Sequence, residues 1–294
     1  MNIKKYRRSF CELLSPIYDP IEAESFFYLI LEEHHQLKKI DLALNPDLTF
    51  SEEALHVWNS ILGQLQHQIP IQYIIGKTQF YGLDFQVNSD VLIPRPETEE
   101  LVEWIIQSQK NALRKQSLAI GKQNLKILDV GTGSGCIAVA LAKNIPDATV
   151  FALDVSAKAL EIAQKNALLN KVNVTFIQKN ILETKDLEEK FDIIVSNPPY
   201  VRELEKLEMN KNVLDNEPHL ALFVPDLDAL LFYKKITELA RKNLFENGQL
   251  YFEINQYLGQ ESLFLLEKMG FKEVELRKDT YGNDRMIQAK LNID

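Results

Sequence analysis

From residue 125 to the C-terminus, short apolar runs alternate with longer stretches of helical spacing. Residues 126–130, 150–153, 174–177 and 191–196 read as strands, with helices expected near 135–144 and 156–169. Later strands are expected at 249–254, 271–276 and 285–290. Such alternation implies a parallel sheet with helices on both faces, an α/β fold. No repeat at a solenoid period and no low-complexity segment interrupts it.

The turn after the first of these strands is Asp129-Val130-Gly131-Thr132-Gly133-Ser134-Gly135. Three alternate glycines let the backbone turn tightly and let a ligand approach without Cβ clashes. In open α/β sheets nucleotide-like ligands sit at such turns. A dinucleotide fingerprint would read G-x-G-x-x-G, but here the third glycine comes early and Cys136 follows. A phosphate-binding Walker loop would end in Gly-Lys-Ser/Thr, and Gly135-Cys136 does not. Asp154 ends the next strand, where a carboxylate can accept both hydroxyls of a ribose.

The fourth strand runs directly into Asn197-Pro198-Pro199-Tyr200. Neither proline has an N–H, so the segment cannot continue a sheet ladder and leaves with carbonyls free. One amide side chain, free carbonyls and one aromatic face suit a flat –NH2 group. An amide nitrogen is a poor nucleophile because its lone pair is delocalised. The Asn197 side-chain oxygen and the Pro198 carbonyl can accept its two N–H bonds, and Tyr200 can stack on it. Placement and electrostatics then carry the rate. The amine of a nucleobase poses the same problem, so the tetrapeptide identifies a reaction rather than a substrate.

Residues 1–75 read as a small helical bundle. Asp19-Pro20-Ile21-Glu22 is a helix start with Asp as N-cap and Pro at N1. Thr49-Phe50-Ser51-Glu52 reads as a capping box for a second helix, stopping at Pro70. The aromatics Phe26, Phe27 and Trp58 are expected in its core. Residues 76–94 contain an aromatic stretch around Gly82, read as a β-hairpin linker, and 95–294 form the catalytic domain. Pro94 and Pro96 forbid helix between them, and one is expected just beyond. Glu217 either faces a substrate or starts a helix. Cys136 is expected as a small buried residue, not a nucleophile.

The Gly-x-Gly-x-Gly spacing with its preceding Asp resembles the first motif of class I S-adenosylmethionine-dependent methyltransferases. That resemblance implies a Rossmann-like, mostly parallel seven-stranded sheet. It assigns Gly131, Thr132, Gly133, Ser134, Gly135, Asp154 and Asn197 to the cofactor, with Asn180 at the adenine edge and Ile181 on its face. The block Ile93-Pro94-Arg95-Pro96-Glu97-Thr98-Glu99, taken with the other motifs, resembles the release factor glutamine methyltransferases, the PrmC/HemK type. Gly76, Phe80, Gly82, Glu217-Pro218, Ala221-Leu222, Asp279, Gly282 and Arg285 also match. Phe223-Val224-Pro225-Asp226 departs from it, where many members carry glycines.

The resemblance implies methyl transfer from S-adenosyl-L-methionine to the glutamine amide of the Gly-Gly-Gln loop in class I peptide release factors. S-adenosyl-L-homocysteine is the product. Asn197, Pro198, Pro199 and Tyr200 hold the glutamine, and the helical domain helps dock the factor. A ribosomal-protein glutamine, a nucleobase amine, or a noncatalytic binding role remain alternatives. A net charge of −9 argues against a protein held mainly by nucleic-acid phosphates. No histidine pairs with cysteine or carboxylate at metal-ligand spacing, so no metal is expected. Two cysteines and no apolar run near the ~18–20 residues of a membrane span make the cytoplasm the expected location.

Overall fold

A computed structural model of the chain describes residues 1–115 and 124–292. It divides into two compact units: Met1–Gly76 with Asn210–Asn216, and Lys77–Met209 with Glu217–Asp294.

The first unit packs α1 (Ile3–Leu14), α2 (Pro20–His35), α3 (Lys39–Leu44), α4 (Glu52–Gln66) and α5 (Ile71–Ile75). Asp19 caps α2 through the amide of Ile21. The cap of α4 is Ser51, accepting from the Ala54 amide, rather than a box between Thr49 and Glu52. That helix ends at Gln66, and Pro70 instead starts α5. Phe10, Phe27 and Trp58 are fully buried, with Phe27 and Trp58 rings 4.8 Å apart. Phe26 is half-buried against Tyr18.

The second unit begins with the hairpin β1 (Lys77–Phe80) and β2 (Leu83–Gln86). Positive φ at both Tyr81 and Gly82 matches the twist of a two-residue turn. Phe80 and Phe85 are buried in this unit's own core. The expected linker is therefore a piece of the second unit, because two aromatic rings on one hairpin face are worth about 1.5–3 kcal/mol each when buried.

Then follow α6 (Pro96–Lys115), β3 (Lys126–Val130), α7 (Cys136–Asn144), β4 (Thr149–Asp154), α8 (Ala157–Leu169), β5 (Val174–Gln178) and β6 (Phe191–Ser196). Next come β7 (Val201–Arg202), α9 (Lys211–Asn216), α10 (His219–Leu222), β8 (Phe223–Val224) and α11 (Leu231–Asn243). The chain closes with β9 (Leu244–Glu253), α12 (Gly259–Lys268), β10 (Phe271–Lys278) and β11 (Asp284–Leu291). α9 belongs to the first unit, where Asn216 donates to the Gln68 carbonyl at 3.2 Å. β7 and β8 pair in parallel, so Phe223-Val224 forms a short strand at the point where the family pattern was lost.

Seven strands form one sheet in the order β10-β11-β9-β6-β3-β4-β5. The pairs from β9 through β5 are parallel, and β11 runs antiparallel between β9 and β10. Successive core residues point to opposite faces. Ile127, Val195 and Tyr251 join one apolar cluster with α6 and α7; Leu128, Ile194 and Phe252 join the other with α11 and α12. From β3 the chain crosses to β4 on one side, whereas from β6 it passes to β9 on the other. That reversal opens a crevice at the C-terminal ends of β3 and β6. Among the described residues no helix is long and apolar enough to cross a membrane.

Candidate active site

Val130, the last residue of β3, is in register with Ser196, the last of β6. The Ser196 hydroxyl donates to the Val130 carbonyl at 2.6 Å and locks the two strand ends together. The glycine loop and the Asn-Pro-Pro-Tyr segment thus leave adjacent strands at one level. Both line a cavity of about 260 Å³, with Asp154, Asn180, Ile181, Arg95 and Thr98.

The loop is pinned from below. The amides of Gly131 and Thr132 both donate to the Leu153 carbonyl, at 2.7 and 3.0 Å. The Thr132 hydroxyl donates to Asp129 Oδ2 at 2.6 Å. Asp129 is fully buried, and its Oδ1 has no hydrogen-bond partner. Burial pushes its carboxyl up to about 7, against the Thr132 bond and the first turn of α7, which pull it down. Asn166 on α8 braces the loop from the side. Its amide donates to the carbonyls of Ser134 and Gln86 and accepts from the Gln86 amide. One buried side chain therefore joins the hairpin, α8 and the loop.

The three glycines do different work. All have positive φ: +73° at Gly131, +55° at Gly133 and +81° at Gly135. A Cβ at Gly131 or Gly133 would meet open space, so those two leave room for a ligand. A Cβ at Gly135 would lie 3.0 Å from Ala163 Cβ, so that glycine lets α7 and α8 approach.

Asp154 accepts the Gly133 amide on Oδ2 and the Ser156 amide on Oδ1, both at 2.9 Å. Each oxygen keeps a second lone pair for an incoming hydroxyl. Burial raises this carboxyl while the two amides lower it. Room above two glycines, beside a carboxylate with spare acceptor capacity, fits a ribose-bearing cofactor. Asn180 was expected at the adenine edge. It lines the cavity, but its oxygen accepts the Leu182 amide and its nitrogen donates to Glu183, closing its own turn. Ile181 is buried on the wall, as a ring face requires.

Asn197 Nδ2 donates to Thr98 Oγ1 at 3.1 Å, which leaves Oδ1 as the unspent acceptor of the amide. Pro198 and Pro199 stand beside it on the cavity wall. Tyr200, the expected stacking platform, is half-buried: its ring packs against the core cluster behind the wall, and its hydroxyl donates to Glu253 Oε1 at 3.0 Å. The pull is a buried carboxylate needing donors, and burial raises the phenol well above its usual range.

The methyltransferase small domain family matches residues 111–220, and the PrmC N-terminal domain family matches residues 7–76. The chain is 65% identical to the release factor glutamine methyltransferase of Flavobacterium psychrophilum, over 98% of this chain and 99% of that protein. The chain belongs to the release factor glutamine methyltransferases. Its identity to the Bacteroides thetaiotaomicron protein of the same name is 44%, over 94% of this chain and 95% of that one. The fold is shared with a methyltransferase from Pyrococcus furiosus, at TM-score 0.51 and 18% identity over 80% of this chain and 100% of that one. It is shared equally with a T. thermophilus 16S rRNA N2 methyltransferase solved with AdoMet and guanosine. There the TM-score is 0.50 and the identity 19%, over 74% of this chain and 50% of that one. The class I methyltransferase fold expected from the glycine loop is therefore the fold of this chain.

Other residues that carried the family resemblance prove to be braces. Glu217, almost wholly buried, accepts the Arg95 guanidinium at 2.6 Å and the Ile93 amide at 3.3 Å. It ties down the Pro-Arg-Pro block at the cavity edge. Asp279 accepts the amides of Tyr281 and Asn283 and the Arg285 guanidinium, closing the turn at Gly282. Cys136 is buried at the start of α7, its thiol pushed up to about 12 by burial, and both cysteines are free. Glu253 and Asn166 escaped the sequence reading. Glu253 ends the apolar run of β9, and a carboxylate directly after Leu250-Tyr251-Phe252 was the available signal.

Proposed function

We propose that the chain transfers the methyl group of S-adenosyl-L-methionine to the side-chain amide nitrogen of the glutamine in the Gly-Gly-Gln motif of class I peptide release factors. The observation that carries this is the Asn197 amide. Its nitrogen is spent on Thr98, so it offers an acceptor beside the glycine loop. An acceptor suits a substrate –NH2, and the family's curated members carry the corresponding name.

Gly131, Gly133 and Asp154 would hold the cofactor, which supplies an electrophilic methyl on a sulfonium. Asn197 Oδ1 and the Pro198 carbonyl take one N–H each. They stabilise the nitrogen as its lone pair withdraws from the carbonyl. The new N–C bond forms as the S–C bond breaks, and the proton then leaves to water. No strong base is needed before attack, and the mostly apolar lining of the cavity limits competing water. The catalytic contacts are thus Asn197 and Pro198. The first unit, which matches the PrmC N-terminal domain, is proposed to help dock the release factor in the cytoplasm.

The test is transfer of labelled methyl to purified release factor, ribosomal protein or nucleic acid. We expect the release factor to be labelled. Asn197→Ala should lower kcat by about a hundredfold while cofactor binding remains measurable. Labelling of nucleic acid alone, or full activity in the variant, would contradict the assignment.

A further inference from the structure

We propose that Glu253, acting through the hydroxyl of Thr98, is the positioning group that fixes which end of the Asn197 amide meets the acceptor. It thereby sets the preference for a glutamine amide over a glutamate carboxylate. The proposal presupposes the glutamine chemistry given above.

The reasoning is a proton count. Thr98 has one hydroxyl proton and donates it to Glu253 Oε2 at 2.6 Å. Its oxygen can then only accept. The Asn197 atom 3.1 Å away must therefore be the N–H-bearing Nδ2, and Oδ1 is the end left over. The other oxygen of Glu253 takes the Tyr200 proton at 3.0 Å. Both carboxylate oxygens receive protons and neither gives one, the pattern of an ionised group.

Glu253 and Thr98 are 1% and 2% exposed, so water does not compete for these bonds. Several groups face the carboxylate. Burial raises this carboxyl and Glu97 adds to the rise, while the Thr98 and Tyr200 hydroxyls and Arg285, clamped by Asp279, favour its charge; Tyr233 donates its hydroxyl to the Glu253 backbone carbonyl. One carboxylate thus grips the Asn-Pro-Pro-Tyr segment at both ends, at Tyr200 directly and at Asn197 through Thr98.

The chemical consequence follows from symmetry. Asparagine's two ends are nearly identical in shape and opposite in polarity. With Oδ1 outward, the side chain accepts from an amide –NH2 and repels a carboxylate. With Nδ2 outward, it repels the –NH2 and welcomes a carboxylate. Packing cannot distinguish these states, so a hydrogen-bond relay must.

Three proteins decide the matter: wild type, Thr98→Val, which keeps the shape without the hydroxyl, and Thr98→Ser, which restores it. The substrate is purified class I release factor. The competitor is the same factor with glutamate in place of the acceptor glutamine. We expect Thr98→Val to lower kcat by about tenfold, the worth of one net hydrogen bond in a dry site. The ratio of the competitor's inhibition constant to the substrate's KM should fall by about the same factor. Calorimetric affinity for S-adenosyl-L-homocysteine should not change, and Thr98→Ser should recover both losses. A merely structural role would leave the glutamine-to-glutamate ratio untouched.

If Thr98→Val does not fold, Thr98→Ala serves instead. It removes the hydroxyl without adding bulk, so the ratio should fall there too. An unchanged ratio in the folded variants overturns the proposal and leaves the proposed function standing. Failure of the wild type to methylate the factor overturns both.

Discussion

Replacing Gly135 by alanine tests the division of labour within the glycine loop. The residue sits at φ +81°, where an alanine costs about 1–2 kcal/mol. Its new Cβ would lie 3.0 Å from Ala163 Cβ and 3.2 Å from Ala163 Cα. Normal carbon contacts are about 3.5–4.0 Å, and overpacking of this kind costs about 1–3 kcal/mol. The crowded atoms include backbone of α8, which cannot rotate away. The sum is about 2–5 kcal/mol, a large share of the 5–15 kcal/mol that typically holds a domain.

The chain has two tryptophans, Trp58 in the first unit and Trp104 in the second. In a Trp58→Phe background, Trp104 fluorescence reports urea unfolding of the second unit alone. Gly131→Ala and Gly133→Ala meet no atoms within 4 Å, so they carry only the backbone term in stability while weakening cofactor binding more. Ala163→Gly removes the closest contact. A double-mutant cycle should therefore show about 1–2 kcal/mol of favourable coupling between Gly135→Ala and Ala163→Gly. Unfolding of Gly135→Ala at the wild-type midpoint, or zero coupling, would refute the packing role.

Two further outcomes follow from buried charge. Asp129 titrates near 7 in the fold against 3.8 as its ordinary value, so between those pH values the folded chain holds a proton that the unfolded chain releases. Stability is therefore lost as pH rises from about 4 to 7, by up to ~1.4 kcal/mol per unit. Asp129→Asn lacks this term, and unfolding curves should shift in the variant's favour by a few kcal/mol across that window; a pH-independent difference would contradict it. At the Pro-Arg-Pro block, Arg95→Met leaves a 1%-exposed Glu217 carboxylate holding only one amide, at a cost of about 3 kcal/mol. Glu217→Gln leaves Arg95, 31% exposed, free to reach water, and should cost under about 1 kcal/mol. The reverse order in thermal melts would show that Arg95 is not the brace.

The strands were legible because each is a local run of β-branched and aromatic residues, and β3 and β6 fall at the expected residues. Caps were partly legible. Asp19 capped as read, whereas Thr49 lost to Ser51, since several hydroxyls near a helix start can each reach an amide. β9 begins at Leu244 rather than 249, because its first residues carry Glu246, Asn247 and Gly248, which break strand patterning. A register irregularity beside β6 absorbs them. The hairpin's sequence showed two strands and a turn but not the core that would take Phe80 and Phe85. Nothing in 210–216 marks it as part of the first unit.

At the site, the residues themselves were visible in the chain. Glycines at positive φ, a carboxylate ending a strand and prolines ending another are constraints written in single residues. Roles that depend on a partner far away in sequence were not. Glu217 could have faced a substrate until Arg95 and Ile93 were found on it. Tyr200 showed an aromatic ring, but not that Glu253 would take its hydroxyl. The sequence alone determined where the backbone must turn and which chemical groups arrive at the ends of β3 and β6. Only the tertiary structure decided how those groups point, because a side chain's polarity is set by the donors and acceptors that burial leaves it, and these come from every part of the second unit.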